Sequence, residues 1–117
     1  MGSASADKRK FPRVSTRFMV SYYPMERQDA LDVSQTKNLS VGGMAITTST
    51  QFKPDARLIL KVRVPSARDP VEIIGRVIES SPMGKMAVYN TRVEFLAIDE
   101  KYRQAITDTV SHHLKKT

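Results

Sequence analysis

The sequence predicts a mainly β fold, a small six-stranded antiparallel β-barrel followed by a C-terminal α-helix. Segments rich in β-branched and aromatic residues, separated by proline, glycine and aspartate, recur between residues 16 and 95. Apolar and polar residues alternate with the period of a half-buried strand over 57–64 and again over 71–80. From residue 99 onward, apolar residues recur about every four positions, as on one face of a helix. This order indicates a barrel with a helix packed over one opening.

The first half of the chain contains three predicted strands. Residues 16–23 form the first, and Pro24 ends it because proline has no N–H to donate. A polar loop leads to the second strand at 32–39, and the third spans 43–49. The glycine pair Gly42-Gly43 predicts a sharp turn between them, since glycine adopts positive φ without steric cost.

The second half contains three more predicted strands. The strand at 57–64 has apolar residues at every even-numbered position, which predicts one buried face. A turn at 65–70 leads to the strand at 71–80. The sequence SPMG at 81–84 predicts a break, and the last strand follows at 85–95.

A helix is predicted over residues 99–116. Asp99 is a suitable N-cap because its carboxylate can accept an N–H from the first turn. Lys115 and Lys116 suit the negative end of the helix dipole. The predicted apolar stripe consists of Tyr102, Ile106, Val110 and Leu114.

The length of 117 residues suits one domain with a single modest core. We expect a leader at 1–7, made of small and polar residues and disordered without a ligand, and one domain at 8–117. Within that domain, a basic arm at 8–15 precedes the barrel at 16–96 and the helix at 99–116.

The composition limits the possible functions. The chain has no cysteine, which excludes disulfides, thiolate nucleophiles and thiolate metal ligands. Its net charge of +7 favours an anionic partner. No apolar run is long enough to cross a bilayer and the start has no secretory apolar region, so we expect a soluble, cytoplasmic protein without a membrane span.

Two polar elements indicate a binding function. The first is the basic sequence RKFPR at residues 9–13, whose two arginines would lie on the same side of an extended arm. The second is the turn sequence NLSVGG at 38–43, in which Asn38 and Ser40 carry short donors and acceptors. Arginine presents a planar fork that pairs with guanine O6 and N7 or with phosphate oxygens, and its flat face stacks on a base.

The order of these elements resembles that of PilZ domains, the bacterial receptors for the second messenger cyclic di-GMP. The resemblance rests on the Arg-x-x-x-Arg arm, the Asn-x-Ser-x-x-Gly turn, and the later strand sequences GRV at 75–77 and RVEF at 92–95. It extends from Lys8 to the terminal helix. It implies a PilZ-like barrel that binds cyclic di-GMP as a regulatory ligand and needs no cofactor. The ligand-binding residues that it implies are Arg9, Arg13, Asn38, Ser40 and Gly43.

Some neighbouring residues are secondary candidates for the same site. Arg76 and Arg92 fit better as outward-facing strand residues, although one of them could line the site. Family members often have aspartate at the position of Asn38. A neutral amide makes a hydrogen bond about half as strong as that of a carboxylate, so we expect lower affinity than in aspartate-bearing relatives. The secondary candidates are Lys8, Lys10, Gly42 and Arg76.

The resemblance predicts a receptor or adaptor module. Cyclic di-GMP would clamp the basic arm onto the barrel near Asn38 and Ser40. This disorder-to-order change would create or hide a surface for a downstream partner protein, which the sequence does not identify.

Two alternatives use the same sequence features. A nucleic-acid-binding barrel would use the basic arm on phosphates, but aromatic residues make up only 7% of the chain and are not clustered on one strand as a stacking platform. A ligand-independent interaction module is the other alternative, and the two intact motifs count against it. No arrangement of residues predicts catalysis or a metal site, and we interpret His112 and His113 as surface or cap residues.

Overall fold

The computed structural model describes Ser15 and residues 17–115. Over these residues the chain forms a closed six-stranded antiparallel β-barrel followed by a C-terminal helix, which confirms the predicted fold class. The predicted leader and most of the predicted basic arm lie outside the described residues. The elements are β1 (Met19–Pro24), β2 (Asp32–Leu39), β3 (Gly43–Thr48), β4 (Arg57–Val62), β5 (Val71–Pro82), β6 (Tyr89–Ile98) and the helix α1 (Glu100–Lys115).

The strands follow the order β1-β2-β3-β6-β5-β4 around the barrel, and β4 closes it by pairing with β1. All neighbouring strands are antiparallel. The pairing of β3 with β6 joins the two halves of the chain on one side, and the pairing of β1 with β4 joins them on the other. None of these six strands therefore has an open edge.

The alternation of residues along the strands produces one core inside the barrel. Leu58, Leu60 and Val62 of β4 are fully buried, and Val64 just beyond the strand is 5% exposed, as the even-numbered pattern predicted. Lys61, between two of them, is exposed. Burying an aliphatic side chain of this size stabilises the fold by roughly 1.5–3 kcal/mol. The barrel therefore depends on its inward-facing rows.

Several strand boundaries differ from the prediction. The strand expected to break at residues 81–84 continues to Pro82, because Ser81 and Pro82 still pair with Asn90 and Tyr89. Pro82 is the last residue of this strand. The last strand begins at Tyr89 instead of residue 85 and continues to Ile98. The prediction was wrong at residue 81 because strand pairing overrode a local turn signal, and it was wrong at residue 85 because the connection between the two strands extends over residues 83–88.

The helix α1 begins as predicted. The Asp99 carboxylate accepts a hydrogen bond from the Lys101 N–H at 3.1 Å, which is an N-cap contact. Ile106 and Val110 are buried in the same core cluster as the barrel interior, so the helix packs against an open end of the barrel. The stripe is shorter than predicted, because Leu114 is 41% exposed.

A hydrogen-bond network ties β1 and β2 to the segment that follows β3. The Asp32 carboxylate accepts hydrogen bonds from the Ser49 hydroxyl at 2.6 Å, the Val33 N–H at 2.8 Å and the Tyr22 hydroxyl at 3.1 Å. These bonds favour the ionised carboxylate, so the pKa of Asp32 lies below its ordinary value, chiefly because of the Ser49 hydroxyl. Burial raises the pKa of the Tyr22 hydroxyl.

We expect the Asp32→Asn substitution to lower the free energy of unfolding by about 0.5–1 kcal/mol at neutral pH, a value discounted for partial exposure. A carboxylate whose pKa is lowered in the folded state contributes stability above its unfolded pKa and loses it as the pH falls through the folded pKa. The difference between wild type and variant should therefore shrink in acid. Urea unfolding between about pH 2.5 and pH 7 measures this difference.

The exposed carboxylate of Asp29 provides the matched control. Among the described residues its one ion pair is with Arg27, and it is long at 3.6 Å. The Asp29→Asn substitution should change stability little at any pH. An Asp32→Asn deficit that stays constant down to the lowest pH would contradict the assignment of this stability to the ionised Asp32.

Candidate ligand-binding site

The turn between β2 and β3 is held by Ser40. The Ser40 hydroxyl oxygen accepts hydrogen bonds from the Gly42 and Gly43 N–H groups, both at 3.2 Å. The Ser40 N–H donates to the Gly43 carbonyl at 2.9 Å, and the hydroxyl donates to the same carbonyl at 3.2 Å. Ser40 is 8% exposed. Its side chain therefore shapes the turn by bonding local backbone groups.

The glycines of this turn serve a different purpose from the one predicted. Among the glycines that the structure describes, only Gly84 has a positive φ, so the expectation of positive φ at Gly42-Gly43 was wrong. A Cβ atom at Gly43 would instead overlap the carbonyl oxygen of Val93 on β6. The Gly42 carbonyl accepts the Phe95 N–H at 2.9 Å. The turn is therefore in close backbone contact with β6, and only a residue without a side chain fits at Gly43.

Asn38 presents a polar side chain on the outside of the barrel. The register between β2 and β3 shifts between Thr36 and Asn38, and Asn38 then pairs with Ala45. Ala45 faces outward, since its neighbours Met44 and Ile46 belong to the core cluster and it does not. Asn38 is half-buried, and its amide makes no hydrogen bond to any residue within the described part of the chain. Its donors and acceptor are therefore available to a ligand.

The described chain begins beside this same end of β2. The Phe18 N–H donates to the Thr36 hydroxyl at 3.0 Å, and the Thr36 N–H donates to the Phe18 carbonyl at 2.8 Å. Because the two strands are antiparallel, the chain preceding Phe18 leaves β1 in the direction in which β2 runs toward Asn38. Arg17 lines an outer groove of about 370 Å³ between β1, β2 and β3. The predicted arm residues Lys8, Arg9, Lys10 and Arg13 lie outside the described residues.

Arg76 lies on β5, and its guanidinium already has partners. The Nε and Nη2 atoms donate to Glu94 Oε1 at 3.0 and 2.8 Å, and Nη1 donates to Asp55. The hydrogen bonds that Arg76 donates to Glu94 and Asp55 raise its pKa. In the cross-strand register Arg76 is opposite Glu94, and Glu94 is opposite Gly43. The structure thus places Arg76 in the same cross-strand row as Gly43. The guanidinium already donates hydrogen bonds to two carboxylates.

Arg92 was not among the candidates that the sequence indicated most strongly. It pairs with Ala45, which pairs with Asn38, so these three residues form one outward-facing row across β6, β3 and β2. Alternation alone places Arg92 on an outer face. Its alignment with Asn38 depends on the pairing of two strands that are distant in the chain, and no local signal in the sequence indicates it.

The described part of the chain offers neither a cluster of metal ligands nor a helix that could span a membrane. No three histidine, aspartate or glutamate side chains lie close enough together there to hold a metal ion. Its single helix is too short and too polar to be a candidate membrane span. The His113 ring nitrogen Nδ1 lies 2.9 Å from the Thr109 carbonyl, and the ring packs edge-on against Phe18 with 5.5 Å between centroids. His113 therefore packs where the helix meets the barrel.

Comparison with solved structures finds the same fold in several proteins. MotI/DgrA, the inhibitor of motility of Bacillus subtilis, matches with a TM-score of 0.79 and 19% identity over 95% of this chain and 53% of that one. The PilZ domain of YcgR from Escherichia coli, solved with c-di-GMP, matches with a TM-score of 0.65 and 15% identity over 94% of this chain and 96% of that one. The MrkH–c-di-GMP complex of K. pneumonia matches with a TM-score of 0.70 and 14% identity over 95% of this chain and 54% of that one.

This chain spans about half the length of the MotI and MrkH chains. Identities this low show a shared fold only, and the functions of those proteins are not transferred to this chain by them. A search of curated protein sequences finds no match. The model of the PilZ domain family matches residues 7–111, which is most of the chain. Together with the closed barrel and the turn at Asn38, this match shows that the chain belongs to the PilZ domain family.

Proposed function

We propose that this chain is a non-catalytic cyclic di-GMP receptor that signals to a partner protein. Membership of the PilZ family supports this proposal. So do two structural neighbours that were solved with c-di-GMP, YcgR and MrkH. The proposed ligand-binding residues are Arg9 and Arg13 of the arm together with the turn residues Asn38, Ser40 and Gly43. Lys8 and Lys10 would add positive charge.

The observation that carries this proposal is that the first described residues of the chain are hydrogen-bonded to β2 close to Asn38. Phe18 is bonded to Thr36 in both directions, two residues before Asn38 on β2. Arg13 precedes Arg17 by four residues, which can span up to about 14 Å. A ligand seated at Asn38 would therefore lie within reach of the Arg13 side chain.

Each of the turn residues would have a different role in ligand binding. The Asn38 amide offers both donor and acceptor atoms to a guanine edge. Ser40 would act mainly by fixing the turn, since its hydroxyl bonds the Gly42 and Gly43 backbone. Gly43 would keep β3 close to β6. The arginines of the arm would supply the forked contacts to guanine and phosphate that neutral side chains cannot.

Ligand binding would order the arm over the barrel surface. A segment that folds on binding can expose or cover a surface for another protein. The signal would then pass to that partner protein. We then expect substitutions on the partner-facing surface to abolish signalling to the partner without abolishing ligand binding.

Calorimetric titration of the full chain with cyclic di-GMP tests the proposal, with cyclic di-AMP and GTP as control ligands. We expect binding of cyclic di-GMP and none, or much weaker binding, of the other two. Hydrogen exchange should show protection of residues 8–14 when the ligand saturates. Absence of cyclic di-GMP binding would refute the proposal.

The same titration, repeated with single-stranded DNA, distinguishes the receptor proposal from the nucleic-acid alternative. None of the aromatic side chains in the described residues is fully exposed, so they offer no open stacking platform for bases. Binding of single-stranded DNA with a steep salt dependence, without binding of cyclic di-GMP, would favour that alternative instead.

A further inference from the structure

The two strand arginines nearest the turn differ in how many hydrogen bonds they make. Arg76 donates three hydrogen bonds, two to Glu94 and one to Asp55. Within the described part of the chain Arg92 has one ion-pair contact, in which its Nε lies 3.4 Å from Glu79 Oε1. Among the described residues, neither terminal nitrogen of Arg92 has a hydrogen-bond partner. The side chains of Arg92 and Glu79 are 47% and 55% exposed, so this pair is a surface contact of small energetic value.

The row that contains Arg92 leads directly to the proposed ligand site. Asn38, Ala45 and Arg92 stand on three consecutive strands with their side chains outward. Adjacent strands are about 4.8 Å apart, so the Asn38 and Arg92 backbones are roughly 10 Å apart. Between them Ala45 contributes only a methyl group. Ala45 is itself only 5% exposed, and it is flanked by an amide with unused donors and acceptor and by a guanidinium whose terminal nitrogens are unused.

We propose that Arg92 is a further ligand-binding residue of this site and that Glu79 competes with the ligand for it. The inference rests on the proposed function. Arg92 would turn its terminal N–H groups toward acceptor atoms of the cyclic dinucleotide, either a phosphate or the O6 and N7 edge of a guanine. The weak contact with Glu79 would be lost when these bonds form. Arg76 stays with Glu94 and Asp55.

The test compares cyclic di-GMP affinity by calorimetric titration of the full chain and its variants. Arg92→Ala should weaken binding about tenfold, the loss expected for one charge-assisted contact. Glu79→Gln should strengthen binding severalfold because it removes the competing carboxylate. Arg57→Ala is the matched control: it removes the same charge from an exposed position on β4, on the far side of the barrel from β3, and should leave the affinity unchanged.

Arg92→Lys distinguishes the two ligand contacts. Retained affinity indicates a phosphate contact, since lysine keeps the charge, and a loss close to that of Arg92→Ala indicates the forked guanine contact. Thermal unfolding should show that Arg92→Ala remains folded, because the side chain is exposed. If wild type binds and Arg92→Ala binds equally well, the assignment of Arg92 is wrong and the proposed function stands. If wild type does not bind, the proposed function fails and the assignment fails with it.

Discussion

Replacing Arg13 with alanine is expected to weaken cyclic di-GMP binding by about 1–3 kcal/mol, the cost of one lost bidentate guanine contact. The expected effect is large because an arginine fork makes two parallel bonds that no neighbouring lysine reproduces. Arg13 precedes Arg17 by four residues, which can span up to about 14 Å, and the described chain begins close to Asn38, so a ligand at Asn38 would be within reach of Arg13. Calorimetric titration of wild type and variant with cyclic di-GMP measures the difference.

Arg68→Ala provides the control for charge. Arg68 is exposed in the loop between β4 and β5, and it makes no ion pair with any residue that the structure describes. Its removal lowers the net charge by the same amount and should leave the affinity nearly unchanged. An Arg13→Ala protein that binds as tightly as wild type would remove Arg13 from the proposed site.

A second large effect is expected on stability. Gly43→Ala should lower the free energy of unfolding by roughly 2–4 kcal/mol, because the new methyl group would overlap the Val93 carbonyl oxygen. That oxygen belongs to the backbone of a paired strand, so it cannot move aside without disturbing the pairing of β3 with β6. Urea denaturation with an unchanged dependence on denaturant would report this loss as a change in midpoint.

Gly84→Ala is the matched control for a glycine substitution. Gly84 has open space around its missing side chain and a φ of +61°, so alanine there costs about 1 kcal/mol through backbone strain alone. Comparing the two variants separates the steric cost of the close approach at Gly43 from the backbone cost of the positive φ at Gly84. A Gly43→Ala protein no less stable than Gly84→Ala would contradict the close approach of β3 and β6.

Much of the fold could be predicted from local patterns. The alternation from residue 57 onward predicted the buried row of β4, and the change of period predicted α1 with Asp99 at its start. These features depend on residues close together in the chain, where side-chain period and backbone hydrogen bonding are coupled. The turn signal at 81–84 failed for the complementary reason, since β6 continued the pairing of Ser81 and Pro82.

The sequence by itself determined the strand-and-helix order, the inward-facing rows and the polar turn that starts at Asn38. Only the tertiary structure decided which strands are neighbours. That choice presses Gly43 against β6, gives Arg76 two carboxylate partners and aligns Arg92 with Asn38. The physical reason is that strand pairing is a long-range interaction: closing the barrel joins segments far apart in the chain, and a periodic pattern specifies the face of each strand but not its partner.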